Sequence, residues 1–317
     1  MSIFPSLEFK LENVKIGQQL DVQIATIKVY PDLGSLFGDR VTVRRMEVEG
    51  ATANAEALPR IFAWVTHEDG AQGNIDIRRV QVRNAKIAVK GVDTPPIDAD
   101  VLLSRDARYK GGSVRLSDGT LKVELTPGDT GIALDIQGKG FRLPMGPAVV
   151  FNDLAAKGIA TDKSITLSEI QGLLYGGTVK GTGEFSWASA WNLSTRFETA
   201  HVELSPFMET LTKDAKSSGQ LDAKVKIEMT GAALGNLMDA PQAQANFTLR
   251  KGTLDGVDLV RALQSPAREG IRGGKSRFDE LTGSLTVSEG RYQYRNLRLQ
   301  SGVLVANLGH NPTGWMR

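Results

Sequence analysis

The sequence predicts a mainly β protein: a long antiparallel sheet with one oily face and a few short amphipathic helices. Three observations predict it. Apolar and polar residues alternate in short runs, best in Leu281–Val287, where Leu281, Leu285 and Val287 share one parity and Thr282, Ser284 and Thr286 the other. Successive side chains on a strand point to opposite faces, so such a run builds a half-buried strand. Turn residues punctuate the runs: Ser288-Glu289-Gly290 separates that strand from the next, over Arg291–Val305. Glycine supplies 34 of 317 residues, well above the usual roughly 7%, and mostly falls between runs.

The N-terminal segment alternates in pieces, Phe9/Leu11, Val14/Ile16, Val22/Ile24 and Ile27/Val29, broken by Asn13 and Gly17. It reads as two or three strands. Leu33, Leu36 and Phe37 fall at i, i+3, i+4 and fit a short helical turn. Val41/Val43 and Met46/Val48 restart the strands. Leu58, Ile61, Phe62 and Val65 mark one helical face behind Pro59, predicting a helix over 59–66. Ile75/Ile77, Val80/Val82 and Ala85/Ile87/Val89 are strands again, before the break at Pro95-Pro96.

Val114/Leu116, Leu121/Val123/Leu125 and Ile132/Leu134/Ile136 continue the sheet, with hairpin turns at Ser117-Asp118-Gly119 and Pro127-Gly128-Asp129. Phe141 to Pro147 is irregular, and Ile165/Leu167 and Leu173/Tyr175 resume the strands. Ser205-Pro206 predicts a helix start, with serine as cap and proline at the first helical position. Asp255 caps a second expected helix carrying Val257, Val260 and Leu263 up to Pro266. Gly183, Gly219, Gly252 and Gly283 each open a glycine–polar–apolar triplet, at steps of 36, 33 and 31 residues. That period suggests one supersecondary unit stacked on the next. The chain divides as 1–95, 96–200 and 201–306 with an irregular tail at 307–317, and these can join into one continuous groove.

Composition excludes several classes. Lys+Arg number 38 against 36 Asp+Glu, too even a balance for a nucleic-acid binder. The absence of cysteine removes disulfides, thiolate nucleophiles and Cys-ligated zinc. Met1–Pro5 lacks the basic and apolar regions of a signal peptide, and no apolar run approaches the ~20 residues of a membrane helix.

Motifs for chemistry are also wanting. Glu269-Gly-Ile-Arg-Gly-Gly274-Lys275-Ser276 approaches a phosphate loop, but Glu269 stands where glycine is required. His67, His201 and His310 have no ligand spacing, no Gly-x-Ser-x-Gly elbow occurs, and Asp98 and Asp100 share a solvent-facing parity. No catalytic residue, metal site or cofactor is expected. Arg268, Arg272, Lys275 and Arg277 form a basic loop, either simply solvated or in contact with anionic headgroups or an acidic partner. Phe185, Trp187 and Trp191 cluster, with Phe197 just beyond, either as core, as the lining of an open apolar groove or at a water–lipid boundary. An open groove places Leu285, Val287, Leu297, Leu299, Val303 and Val305, with Phe185 and Trp187, on its inner side.

Gly252-Thr-Leu-Asp-Gly-Val-Asp-Leu-Val-Arg-Ala-Leu263, Phe278–Gly290 and Leu297–Ala306 resemble the C-terminal region of the AsmA-like family. Leu11–Ile16, Val29–Phe37 and Val43–Gly50 resemble its first strands and intervening turn. The resemblance implies that the sheet is curved into an open groove, and that the chain is a non-enzymatic envelope protein, periplasmic and associated with the inner membrane. It implies phospholipid as ligand, in transport or in outer-membrane assembly. Family members begin with a transmembrane helix, and this chain starts where that anchor would already have ended. Two other expectations compete. One is a scaffold that binds an envelope protein through sheet edges or the basic loop. The other is a β enzyme, which would need paired carboxylates in a cleft.

Overall fold

The computed structural model describes residues 7–17, 21–61, 74–90, 92–105, 108–211, 217–257 and 272–308. Eighteen strands form one open, curved sheet. They are β1 (Phe9–Ile16), β2 (Val22–Pro31), β3 (Val41–Asn54), β4 (Ile75–Ile77), β5 (Arg79–Ala88) and β6 (Ile97–Leu103). Then come β7 (Tyr109–Leu116), β8 (Leu121–Gly128), β9 (Gly131–Arg142), β10 (Val150–Ala160), β11 (Ser164–Leu174) and β12 (Gly177–Ser186). Last are β13 (Trp191–Glu203), β14 (Ser217–Gly231), β15 (Gln242–Val257), β16 (Arg272–Ser288), β17 (Arg291–Ser301) and β18 (Leu304–Leu308). Strand makes up 71% and helix 8%, so the expected class holds.

The topology is a meander. β1, β2 and β3 pair antiparallel in sequence order, and so does every step from β5 to β18. The departure is at β3, which pairs in parallel with β4 and β5. A parallel step needs a crossover, and the 3-10 turn Ala55–Ala57 starts it, with helical residues following at 58–61. The remainder of the helix expected over 59–66 lies outside the described residues.

The short alternating pieces of the sequence are kinked parts of longer strands. Val80/Val82 and Ala85/Ile87 belong to one strand, β5, whose register shifts between Val82 and Ala85 at Asn84, with φ of 51°. β13 shifts between Thr199 and Val202 at His201, and β17 between Arg295 and Arg298 at Asn296, both also left-handed. Each is a β-bulge, where one extra residue flips the parity of everything after it. Asn84 N–H donates to Asp98 Oδ1 at 3.0 Å and His201 N–H to Asp222 Oδ1 at 2.7 Å. Carboxylates on the neighbouring strands thus satisfy the donors that the ladder drops. Left-handed residues also mark one line across β1 to β3, with φ of 55° at Asn13 and 64° at Gly50, where the strands change parity together and the register does not shift. Val14, Ile24 and Ala51 beyond the line therefore pack in one cluster with Ile27 and Val48 before it.

Two helical expectations change. The helix α1 spans Leu204–Leu211, so Ser205 lies inside it, and its hydroxyl donates to Ser217 O at 2.9 Å instead of capping. Asp255 does not cap a helix: it lies in β15, paired with Lys275, and residues 258–271 fall outside the described set. Pro31–Gly38 does contain the expected turn, a 3-10 helix at Leu33–Ser35 capped by Asp32. Nor do the four spaced glycines open repeated units. Gly183 and Gly283 sit mid-strand, and β15 and β16, carrying Gly252 and Gly283, pair directly with each other.

The chain exposes 20229 Å², whereas a globular protein of 34.2 kDa exposes roughly 13,000 Å². No large side chain among the described residues is fully buried. The sheet is therefore not wrapped around a sealed core. It is held curled by a clasp instead. Ala55 and Val89, at the ends of β3 and β5, pack with Trp187, Trp191, Leu234 and Leu237 from the distant β12–β15 region. Trp191 Nε1 donates to Glu56 Oε2 at 3.4 Å across it. Trp187 and Trp191 stack at a tilt, 6.2 Å between centroids.

Removal of Trp191, only 5% exposed, is expected to cost about 3 kcal/mol. Urea unfolding of Trp191→Ala measures this, and hydrogen exchange should quicken at Ala55–Leu58 and 233–238 before the β8–β10 ladder.

Candidate functional site

Cross-strand pairing decides which side chains share a face. Followed strand by strand, one rung joins Leu11, Ile27, Val48, Val82, Ala99, Val114, Val123 and Ile136. It continues through Ala156, Ile170, Gly181, Phe197, Val225, Ala245, Leu285 and Tyr294. The rung crosses every strand except β4 and β18 without one charged or amide side chain. A parallel rung runs from Phe9 through Met46, Val101, Leu134 and Ile227 to Val287 and Tyr292, with Thr195 as its polar member. At ~4.8 Å per strand the apolar surface is ~72 Å long.

Glycine lies in the rung where a large neighbour covers it. A Cβ on Gly181 would approach Phe197 Cβ to 2.8 Å, and one on Gly283 would meet Leu297 Cδ2 at 2.5 Å. These glycines mark close approach, not the start of a strand. Tyr109 packs against Ile132, Leu134 and Ala160 on the same face. Its hydroxyl donates to Leu125 O at 3.0 Å, and burial pushes its pKa up to about 12. Thr199 Oγ1 is buried without a hydrogen-bond partner, between Val179 and Ala223 across the ladder.

The residues expected on the inner side separate. Leu285 and Val287 lie on the two rungs, and Phe185 shares their face through Ile165 and Leu193. Leu299 pairs with Leu281 and is buried beside Leu249. Leu297 covers Gly283, because the Asn296 bulge returns it to the face of Tyr294. Trp187 belongs to the clasp. Val303 and Val305 do not join them. Val303 is 99% exposed in the turn before β18, and Val305 pairs with Gln300, on the face opposite Leu299. The turn at Gly302–Val303 resets the parity that the sequence carries through unbroken.

The basic loop also changes character. Lys275 and Arg277 are exposed residues of β16, paired with Asp255 and Thr253. Arg272 is the first residue of that strand, and Arg268 lies outside the described residues.

The opposite face is polar. Asp98 is held below the usual carboxylate range by the Asn84 N–H and then by Arg115, whose Nη2 lies at 3.3 Å. Arg79 does the same for Asp100, with Nε at 2.8 Å, as do the His201 N–H and Arg250 for Asp222. Among the described residues no cluster of His, Cys, Asp and Glu could hold a metal ion.

Replacing Thr199 with valine, which keeps the shape and removes the unpaired hydroxyl, is expected to raise unfolding stability by about 1 kcal/mol, measured by urea denaturation. Asp98, Asp100 and Asp222 give a pH dependence. Their folded pKa values lie below the unfolded value of roughly 3.9. The stability they supply is therefore complete above that value and lost as pH falls through the folded ones. The urea midpoint should drop as pH falls below about 4, and drop less in Asp98→Asn/Asp100→Asn/Asp222→Asn.

The AsmA family model matches residues 121–297, from β8 into β17. No curated protein and no solved structure matches the chain. The family match covers more than half of the sequence and the apolar rungs from β8 to their end in β17, and the chain belongs to the AsmA family.

Proposed function

We propose that this chain is a non-enzymatic envelope protein that holds lipid acyl chains along the apolar face of its open sheet. In this reading it supports phospholipid transport or outer-membrane assembly from the periplasmic side of the inner membrane. The observation that carries the reading is the uninterrupted rung from Leu11 to Tyr294. Exposing a ~16-carbon chain to water costs roughly 12 kcal/mol. A surface that offers apolar contact at every ~4.8 Å step lowers that cost along its whole length. The ~72 Å rung exceeds the ~40–45 Å depth of a bilayer with its headgroups, so it has room for several chains in file. Family membership supports envelope association. The AsmA-like resemblance supports phospholipid as the ligand.

A second reading is a scaffold that adds a partner strand at a sheet edge. Its support is β1, the first strand, whose Phe9 and Leu11 are 51% and 52% exposed.

Native mass spectrometry of the purified chain should find phospholipid adducts. A delipidated sample should take up a fluorescent fatty acid, with uptake reduced about tenfold in Phe197→Asp/Val225→Asp. A chain with an intact sheet by circular dichroism that binds neither ligand would overturn the lipid reading. Recovery of one defined protein cross-linked to β1 would then favour the scaffold.

A further inference from the structure

The polar face carries a furrow that the lipid reading does not use. Two hollows, of about 650 and 520 Å³, lie across β12–β16 and β8–β12 and meet at Lys180. In both, most lining residues come in sets centred on a residue of the apolar parity, such as Lys224, Val225, Lys226 in one and Gln137, Gly138, Lys139 in the other. The flanking residues have the polar parity, so the hollows open away from the apolar rungs. Together they span nine strands, ~38 Å at ~4.8 Å per step.

Charge is concentrated there. Six cations and two carboxylates line the furrow, a net charge above the +2 of the whole chain. Lys224 pairs with Glu198 at 3.0 Å. Lys139, Lys180 and Arg196 are exposed and have no ion-pair partner among the described residues. Between the cations stand amides and hydroxyls, among them Gln137, Gln171, Gln244 and Thr286.

The chemistry narrows the occupant. The furrow's one aromatic lining residue, Phe197, has the apolar parity, so no ring is available to stack on neutral sugars or on bases. Backbone groups on the furrow floor are already used in the ladder, so a peptide strand cannot add there. A flat bilayer would meet the bounding side chains and leave the floor empty. An extended polyhydroxylated anion fits: its charges meet the three unpaired cations and its hydroxyls the amides. We propose that the polar furrow from β8 to β16 binds an acidic glycan, a sugar polymer bearing carboxylate or phosphate groups.

The test is calorimetric titration of the full chain with an oligogalacturonate long enough to cover ~38 Å. A neutral dextran oligosaccharide, anionic phospholipid vesicles and single-stranded DNA serve as comparisons. Expected are binding of the oligogalacturonate, none of the dextran, and loss with rising salt. Roughly tenfold weakening is expected in Lys139→Gln/Lys180→Gln/Arg196→Gln, with the fatty-acid uptake of the parent chain retained. Lys139→Glu/Lys180→Glu/Arg196→Glu should weaken it further. No oligogalacturonate binding, equal binding by the folded variants, or stronger binding of vesicles or DNA would each overturn the assignment. Failure of fatty-acid uptake alone would overturn the lipid reading and leave this one standing.

Discussion

An open sheet can keep one face apolar only if every strand agrees with both neighbours about which side each residue faces. A single unmatched residue would turn the rest of its strand over and carry a charge into the oily face. In this chain the agreement holds from β1 to β17. Where strands need a bend, the flip is matched by a shift in the pattern of the covered face: Val82 to Ala85, Thr199 to Val202, Tyr294 to Leu297. The bulges and the sequence pattern are two views of one requirement. The aspartates that accept the bulge N–H groups tie the polar face to it as well.

That requirement explains what could be read from the chain before its fold. Alternation gave the strand class, and Leu281–Val287 became β16 facing as expected. Breaks in parity were visible at Asn13 and at Val82/Ala85, but a strand end and a bulge leave the same trace in a linear pattern. Only the partner strand distinguishes them. The inner face was legible where parity ran unbroken, as at Leu285 and Val287. It failed at Val303 and Val305, where the turn resets the count. Rung residues such as Ile170 and Val225 were not legible as members of it, because register between distant segments leaves no mark in either one alone. The clasp was half visible: Phe185, Trp187 and Trp191 stood out as a cluster, while their partners Ala55 and Val89 did not.

The two faces divide the energetic work. Compact domains gain stability by burying large side chains completely, and here none is buried to that degree among the described residues. Ladder hydrogen bonds, half-buried rungs and local clusters must suffice. The clasp and the clusters around Val202 and Phe278 supply dry contacts at a few points. Between them the apolar face remains accessible.

The meander has an architectural consequence. Because β6 to β18 each pair only with the strands next to them in sequence, this part of the sheet behaves as a one-dimensional stack. Gain or loss of one hairpin changes its length by ~9.6 Å, two strand spacings, and leaves every other pairing as it was. Two strands restore the direction of the chain, and an in-phase pair restores the sidedness of the face. A fold built this way can be retailored to gaps of different width by duplication, with no new core to invent.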